Sequence, residues 1–344
     1  MKKRIITCSD GTWNSPYGIF HGKPIRTNVQ KIFEAICNRD DKDDIAQIKY
    51  YDTGVGTTGN RFERIYAGMV GYGLDENILD AYKFIVWNYE QGDELYLFGF
   101  SRGAYTARSL CGMIYKCGIL RNNDLNLIQQ AYRLYRDDAL KAGSPEAQDF
   151  RDANSHPARN IYFIGVWDTV GSLGIPGKMF DLYNKKKYEF HDTKLNHEVA
   201  YAYHALAVDE RRVDFEPALW EQSEKAIGAG RQVMEQMWFP GVHSNVGGGY
   251  ESEKLSDIAL QWMVEKAAGT GLAFEQAYVN GRIEPDADGM LYNSKVFPFS
   301  LKADFLRPVA QQKNGNEQVH PSVYTRMEQN AEYRPPNIGA AKEK

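Results

Sequence analysis

The sequence predicts an α/β fold, a mostly parallel sheet with helices on both faces, and three observations carry that expectation. Short runs rich in β-branched and aromatic residues alternate with segments of helical spacing. The runs at 94–100 and 161–167 are almost continuously apolar, as strands buried between two helical layers are. Loops rich in Gly, Asp and Ser follow the runs, at the carboxyl ends where parallel sheets build their sites.

In chain order, residues 4–8 form the first expected strand, which enters the tight loop Ser9-Asp10-Gly11-Thr12. Residues 28–36 repeat apolar side chains at helical spacing behind an Asn cap, and 45–52 return to strand character until Gly54, Gly56 and Gly59. The clearest helix covers 74–89, with Ile78, Leu79, Tyr82, Ile85 and Val86 on one face. Two stretches break the alternation, about 121–159 and 174–203, and are expected to be insertions over the sheet. The core is thus placed in 1–270, and 271–344 is expected to be a loop-rich C-terminal extension packing on it, with a Lys-rich frayed end.

Composition excludes several function classes. The 344 residues are 43% hydrophobic and 13% aromatic, ample for a core. With 41 Lys and Arg against 45 Asp and Glu, the net charge of −4 gives no general pull toward nucleic acid. The four cysteines (Cys8, Cys37, Cys111, Cys117) show no zinc-type spacing and are expected to be reduced packing residues, so no metal or other cofactor is expected. No apolar run is long enough to span a membrane, and the basic start Lys2-Lys3-Arg4 lacks the apolar stretch of a signal peptide. The expectation is a cytoplasmic product as synthesised, with signal-independent secretion left open, as is oligomeric state.

Chemistry enters at Gly99-Phe100-Ser101-Arg102-Gly103, a G-x-S-x-G string. Alone it is a weak signal. Here a buried-type strand precedes it and the small-residue helical run Ala104 to Gly112 follows, the strand-elbow-helix context in which a serine nucleophile is exposed on a strained turn. A serine hydroxyl needs a base, and the base needs an orienting carboxylate. Of the seven histidines, His243 follows a strand-like run in a glycine-rich loop, where a strand-end base belongs. His21, His156, His191 and His197 lie in polar segments, His204 falls in a run at 201–208 expected to be helical, and His320 is the rival late in the chain. Asp168 ends the buried-type strand 161–167, whereas Asp209 sits among charges that suggest a surface ion-pair cluster. The order Ser101, Asp168, His243 is the order that α/β-hydrolases use.

The oxyanion donors are expected from the backbone of Arg102, after the nucleophile, and from Gly11 and Thr12 in the loop after the first strand. Asp10 is a supporting residue that could shape that loop, approach Arg102 or bind a cation, the first being the simplest. Gly54-Val55-Gly56-Thr57-Thr58-Gly59 matches a dinucleotide fingerprint, but the acidic partner about 20 residues on is missing from a second strand end, since Asp75 and Glu76 open a helix. Asp286-Ala287-Asp288-Gly289 lacks the remaining ligands of a calcium loop and is expected to be a turn.

Taken together, Ser9-Asp10-Gly11-Thr12-Trp13-Asn14, Tyr51-Asp52-Thr53-Gly54-Val55-Gly56-Thr57, Gly99 to Ala104, Gly165-Val166-Trp167-Asp168-Thr169-Val170-Gly171, Ala205 to Arg211 and Trp238 to Gly249 resemble a bacterial family of uncharacterised α/β-hydrolase domains that includes type VI secretion phospholipase effectors. The resemblance spans nearly the whole chain. It implies an α/β-hydrolase-like fold, a Ser101-Asp168-His243 catalytic triad and a lipase or phospholipase activity on membrane lipids. Where the family often carries Asp after His-Ser, this chain has Asn245, one charge fewer near the base. The effectors are longer and carry membrane-engaging regions, whereas no amphipathic membrane helix is evident here, which weakens the toxin reading.

The expectation is therefore a serine hydrolase of carboxylic esters, foremost lipid or phospholipid acyl esters, working through an acyl-enzyme. Contact with a membrane surface is left open. The alternatives are a non-catalytic binding or regulatory module on the same fold, and an esterase or thioesterase of non-lipid substrates.

Overall fold

The computed structural model describes residues 2–11, 19–20, 23–54, 73–158, 161–170, 194–297, 299–312 and 314–339. Its elements are β1 (Lys3–Ser9), α1 (Asn28–Ala35), β2 (Arg39–Asp40), β3 (Ile45–Asp52), α2 (Leu74–Asn88), β4 (Glu94–Phe100), α3 (Arg102–Cys117), α4 (Leu125–Arg136) and α5 (Pro145–Asn154). They continue with β5 (Ile161–Trp167), β6 (Tyr201–Ala207), α6 (Glu224–Ala229), β7 (Val233–Phe239), α7 (His243–Gly247), α8 (Lys254–Gly269), α9 (Gln276–Arg282), β8 (Glu317–Val319) and α10 (Pro321–Gln329).

One eight-stranded sheet runs in the order β8-β7-β6-β5-β4-β1-β3-β2. Every pairing in it is parallel except the short edge pair β2–β3. The expected α/β class is what the chain forms. Period-two alternation explains why both faces are covered. Ile5, Leu95, Leu97, Ile164 and Val166 point to one side and pack under α2, α3 and α4. Ile6, Tyr96, Phe98, Phe163, Trp167 and Phe239 point to the other, against α1 and α8.

The topology also chooses the place of the site. β3 lies on one side of β1 and β4 on the other, so the direction of sheet growth reverses at β1 and a crevice opens beyond the carboxyl ends. The register sets Ser9 beside both Asp52 and Gly99. The loop after β1, the end of β3 and the β4–α3 turn therefore meet at that crevice.

Several expectations need correction. Residues 201–207 form a strand rather than a helix: with Ala202 facing one core and Tyr203 the other, both faces are buried and the alternation that marks a strand is lost. The cap of α1 is Thr27, whose hydroxyl accepts from the Gln30 N–H, while Asn28 reaches the carbonyls of Val246 and Ser256. The C-terminal extension is more than a covering, since β8 joins the main sheet beside β7 and Val309, Val323, Tyr333 and Ile338 build a third core with Leu206, Val208 and Trp238. The stretch at 121–158 carries α4 and α5, and Ile128 and Ala131 of α4 join the core under α3. Of the expected insertion at 174–203, residues 174–193 lie outside the described residues, as do Thr12, Gly56, Gly59 and the Lys-rich end at 340–344, while 201–203 belong to β6 of the main sheet rather than to an insertion. All four cysteines are free thiols, and among the described residues no helix is long and apolar enough to cross a membrane.

Candidate active site

Ser101 sits where β4 turns into α3, with φ 56° and ψ −117°. A non-glycine residue at such angles is strained, and a turn this sharp is tolerated only where the surroundings enforce it. They do so by close approach. A Cβ on Gly99 would come within 2.3 Å of the Gly103 carbonyl oxygen, and one on Gly103 within 2.0 Å of the Ser9 carbonyl oxygen. Both flanking glycines of the motif are thus required by packing between β1, β4 and α3. The Ser101 N–H donates to the Trp167 carbonyl at 3.1 Å, which ties the elbow to the end of β5.

The residue after that carbonyl is Asp168, fully buried and itself at φ 39°. Its backbone N–H donates to Ala205 O at 2.8 Å, and its Oδ1 accepts from the Ala207 N–H at 3.0 Å, so the end of β6 fixes the carboxylate. Asp168 Oδ2 lies 2.6 Å from His243 Nδ1. The imidazole is clamped between the rings of Phe100 and Phe215, at centroid distances of 4.7 and 4.9 Å. Gly247 makes this possible, because a Cβ there would fall 2.0 Å from the Phe100 ring and push α7 off the elbow. In the described residues the Ser101 hydroxyl makes no hydrogen bond to His243. Such contacts commonly tighten only when substrate arrives.

A third side chain completes the cluster. Arg307 Nη1 donates to Asp168 Oδ1 at 2.6 Å and Nη2 to Oδ2 at 3.0 Å, a two-pronged ion pair with both side chains at 0% exposure. The second proton of Nη1 reaches the Ala207 carbonyl at 2.9 Å and that of Nη2 the Phe215 carbonyl at 2.6 Å, while Nε makes no hydrogen bond. Burial alone would raise the Asp168 pKa, but Arg307 and the hydrogen-bonded His243 outweigh it and hold the carboxyl well below the usual range. For His243, burial lowers the pKa from the ordinary imidazole value, against the opposing pull of Asp168.

Glu210 lies against the backbone of His243. It is buried, accepts from the His243 N–H at 3.2 Å and from Ser294 Oγ at 3.0 Å, and forms a two-pronged pair with Arg212. Burial would raise its pKa, yet the bonds from Arg212 bring it down to about 2. Asn245 uses both ends of its amide: the nitrogen donates to Met290 O at 3.0 Å, and the oxygen accepts from the N–H groups of Val242 and Tyr292, each at 3.3 Å. A carboxylate could not make the first of these bonds, which gives a local reason for Asn at this position.

The other sequence candidates fall elsewhere. Asp209 is half-buried, and its carboxylate turns to the fold rather than to a surface ion-pair cluster, accepting from the Gly241 N–H at 2.6 Å and Tyr333 Oη at 2.8 Å. His204 is buried in β6, where its Nε2 accepts from the Thr169 N–H, and burial foremost pushes its pKa down to about 3. His320 caps α10 and stacks on Phe239. Asp10 shapes its loop, accepting from the Gly11 N–H at 2.6 Å, Thr27 Oγ1 at 2.5 Å and Tyr51 Oη at 2.6 Å. The Gly11 N–H, expected to face an oxyanion, is therefore turned onto Asp10. Arg102 opens α3, where first-turn N–H groups have no partner inside the helix.

Arg307 and Glu210 are the site residues that sequence reasoning missed. Glu210 lies in the motif Ala205 to Arg211 and could have been marked by its position after β6. Arg307 follows no motif.

Comparison with known proteins adds a family. The model of the family described as T6SS, phospholipase effector Tle1-like, catalytic domain, matches residues 3–266. Among curated proteins, the Saccharomyces cerevisiae "Uncharacterized protein YEL023C" is 30% identical over 234 residues, covering 62% of this chain and 32% of its own length. Among solved structures, that of an uncharacterized protein from Pseudomonas aeruginosa aligns with a TM-score of 0.50 at 19% identity, covering 83% of this chain and 49% of that one. A Tle1 effector bound to the VgrG spike of the type 6 secretion system aligns with a TM-score of 0.42 at 19% identity, over 73% of this chain and 52% of that one. The chain thus spans about a third of the length of the yeast relative and about half of each solved chain.

Proposed function

The chain belongs to the family of T6SS Tle1-like phospholipase effector catalytic domains, and from that premise we propose that it is a serine hydrolase of phospholipid acyl esters. The observation that carries the reading is the 2.6 Å contact between Asp168 and His243 beside a serine strained at φ 56°. An ionised Asp168 favours the tautomer with the proton on His243 Nδ1, so Nε2 keeps a lone pair for the Ser101 proton. The resulting alkoxide attacks the ester carbonyl. The Arg102 N–H at the start of α3, where the helix dipole is positive, is one donor to the oxyanion. Thr12 is the candidate for the second donor. His243 then returns its proton to the departing lysophospholipid alcohol, and water, deprotonated by the same imidazole, releases fatty acid from Ser101.

Arg307 is a positioning residue in this scheme. It fixes the plane of the Asp168 carboxylate and keeps it ionised, but it touches no reacting atom. Glu210 acts likewise on the backbone of His243.

The test is hydrolysis of a defined diacyl phospholipid with product analysis. Fatty acid and lysophospholipid should appear in equal amounts with the wild-type chain and not with Ser101→Ala. Turnover of short soluble esters or thioesters with no release from phospholipid would favour the non-lipid reading, and no turnover of any acyl ester would favour a binding module.

A further inference from the structure

The segment between α9 and β8 carries an apolar surface that the proposed chemistry does not use. Val296 is 58% exposed, Phe297 78% and Leu301 79%, with Leu306 and Val213 also exposed. They belong to one surface. Ser300 N donates to Val296 O, and the short turn Phe299–Leu301 is closed by Lys302 N to Phe299 O. That turn lies against residues 211–215: Phe305 N donates to Arg211 O, Lys302 pairs with Asp214 at 2.6 Å, and the Phe299 ring stands 5.9 Å from Phe215. Elsewhere in the described residues, large exposed apolar side chains such as Trp87, Leu125 and Ile227 belong to separate elements.

Two features say what this surface meets. First, it adjoins the candidate site, because Phe215 packs on both Phe299 and His243 and Arg307 ties the same segment to Asp168. Second, the two segments that form it, 210–216 and 295–304, carry four cations (Arg211, Arg212, Lys295, Lys302) and four carboxylates (Glu210, Asp214, Glu216, Asp304), with Lys295 and Arg211 sharing Asp304, Lys302 on Asp214 and Arg212 on Glu210. An apolar turn with a charge-balanced rim suits insertion among zwitterionic headgroups and has no surplus charge with which to seek an anionic partner.

We propose that Val213, Val296, Phe297, Leu301 and Leu306 seat the chain on a zwitterionic phospholipid bilayer, holding the Ser101–His243 crevice against the lipid surface. The inference rests on the lipid-ester reading above.

Sedimentation with phosphatidylcholine vesicles tests it, carried out on Ser101→Ala protein so that docking is read without turnover. Co-sedimentation is expected, with binding weakened at least about tenfold in Phe297→Ser/Leu301→Ser and unchanged in Trp87→Ser. Adding anionic lipid should change binding by less than about twofold. The proposal is overturned if the double variant binds like its parent, if binding requires anionic lipid, or if the double substitution instead dissolves a dimer seen by sedimentation velocity and leaves vesicle binding intact. Failure of the function reading looks different: wild-type chain that cleaves no ester while the Ser101→Ala protein still docks.

Discussion

Arg307 grips both oxygens of Asp168, at 2.6 and 3.0 Å, from a segment that lies beyond residues 3–266 where the family model matches. The Asp168 carboxylate is thus shared between the His243 imidazole and a guanidinium supplied by the C-terminal extension. A domain cut at residue 270 would leave Asp168 buried without its counter-charge.

Removing that counter-charge should be costly. Arg307→Gln is expected to destabilise the fold by about 3–5 kcal/mol at neutral pH, read by urea unfolding. Arg307→Lys should recover part of the loss but not the forked geometry. The sign with pH follows from the depressed Asp168 pKa. Its contribution is complete above the unfolded carboxylate value of about 3.9 and fades as pH falls toward the folded value, so the gap between wild type and Arg307→Gln should narrow below about pH 4. A gap that stays constant down to pH 2.5 contradicts this assignment.

The base should work in mildly acidic solution. His243 must be neutral to accept the Ser101 proton, and burial foremost holds its pKa below the ordinary value of 6.5. The acid limb of kcat/KM is therefore expected below pH 6.5, measured on a soluble ester. Asp168→Asn removes the opposing upward pull and the tautomer preference together. It should lower kcat by about 10⁴-fold, and a loss under tenfold would separate Asp168 from the chemistry.

Elbow packing gives a third outcome. Gly103→Ala sets a methyl group 2.0 Å from the Ser9 carbonyl oxygen, with backbone on both sides and no flexible side chain to yield. A loss of about 1–3 kcal/mol or more in stability is expected, together with loss of activity, read by thermal unfolding and ester turnover. Gly112→Ala, whose added Cβ meets only the Tyr135 ring at 3.5 Å, should be close to neutral and serves as the control.

What was legible in the sequence was whatever sits at a strand end. Ser101, Asp168 and His243 each follow a run that forms β4, β5 or β7, and those strand ends, with the G-x-S-x-G string and the glycine-rich loop at 241–249, marked them as candidates. Arg307 was hidden because its segment has no periodicity and an arginine carries no motif of its own. Asp209 misled because neighbouring charges in sequence point to different places in space: its own partners are Gly241 and Tyr333. β6 was mistaken for a helix because both of its faces are buried, and β8 is too short, at three residues, to show alternation. The Gly11 N–H was assigned to an oxyanion on position alone. Its bond to Asp10 depends on a carboxylate orientation that Thr27 and Tyr51 set from afar.

The central claim is that Ser101 is a nucleophile activated by His243, and fluorophosphonate labelling followed by peptide mapping measures it most directly. Folded wild-type protein should carry the phosphonyl group on Ser101, urea-unfolded protein should carry none, and His243→Ala should react at least about 10³-fold more slowly. Folded protein that takes up no label at Ser101, or that labels equally fast without His243, would contradict it.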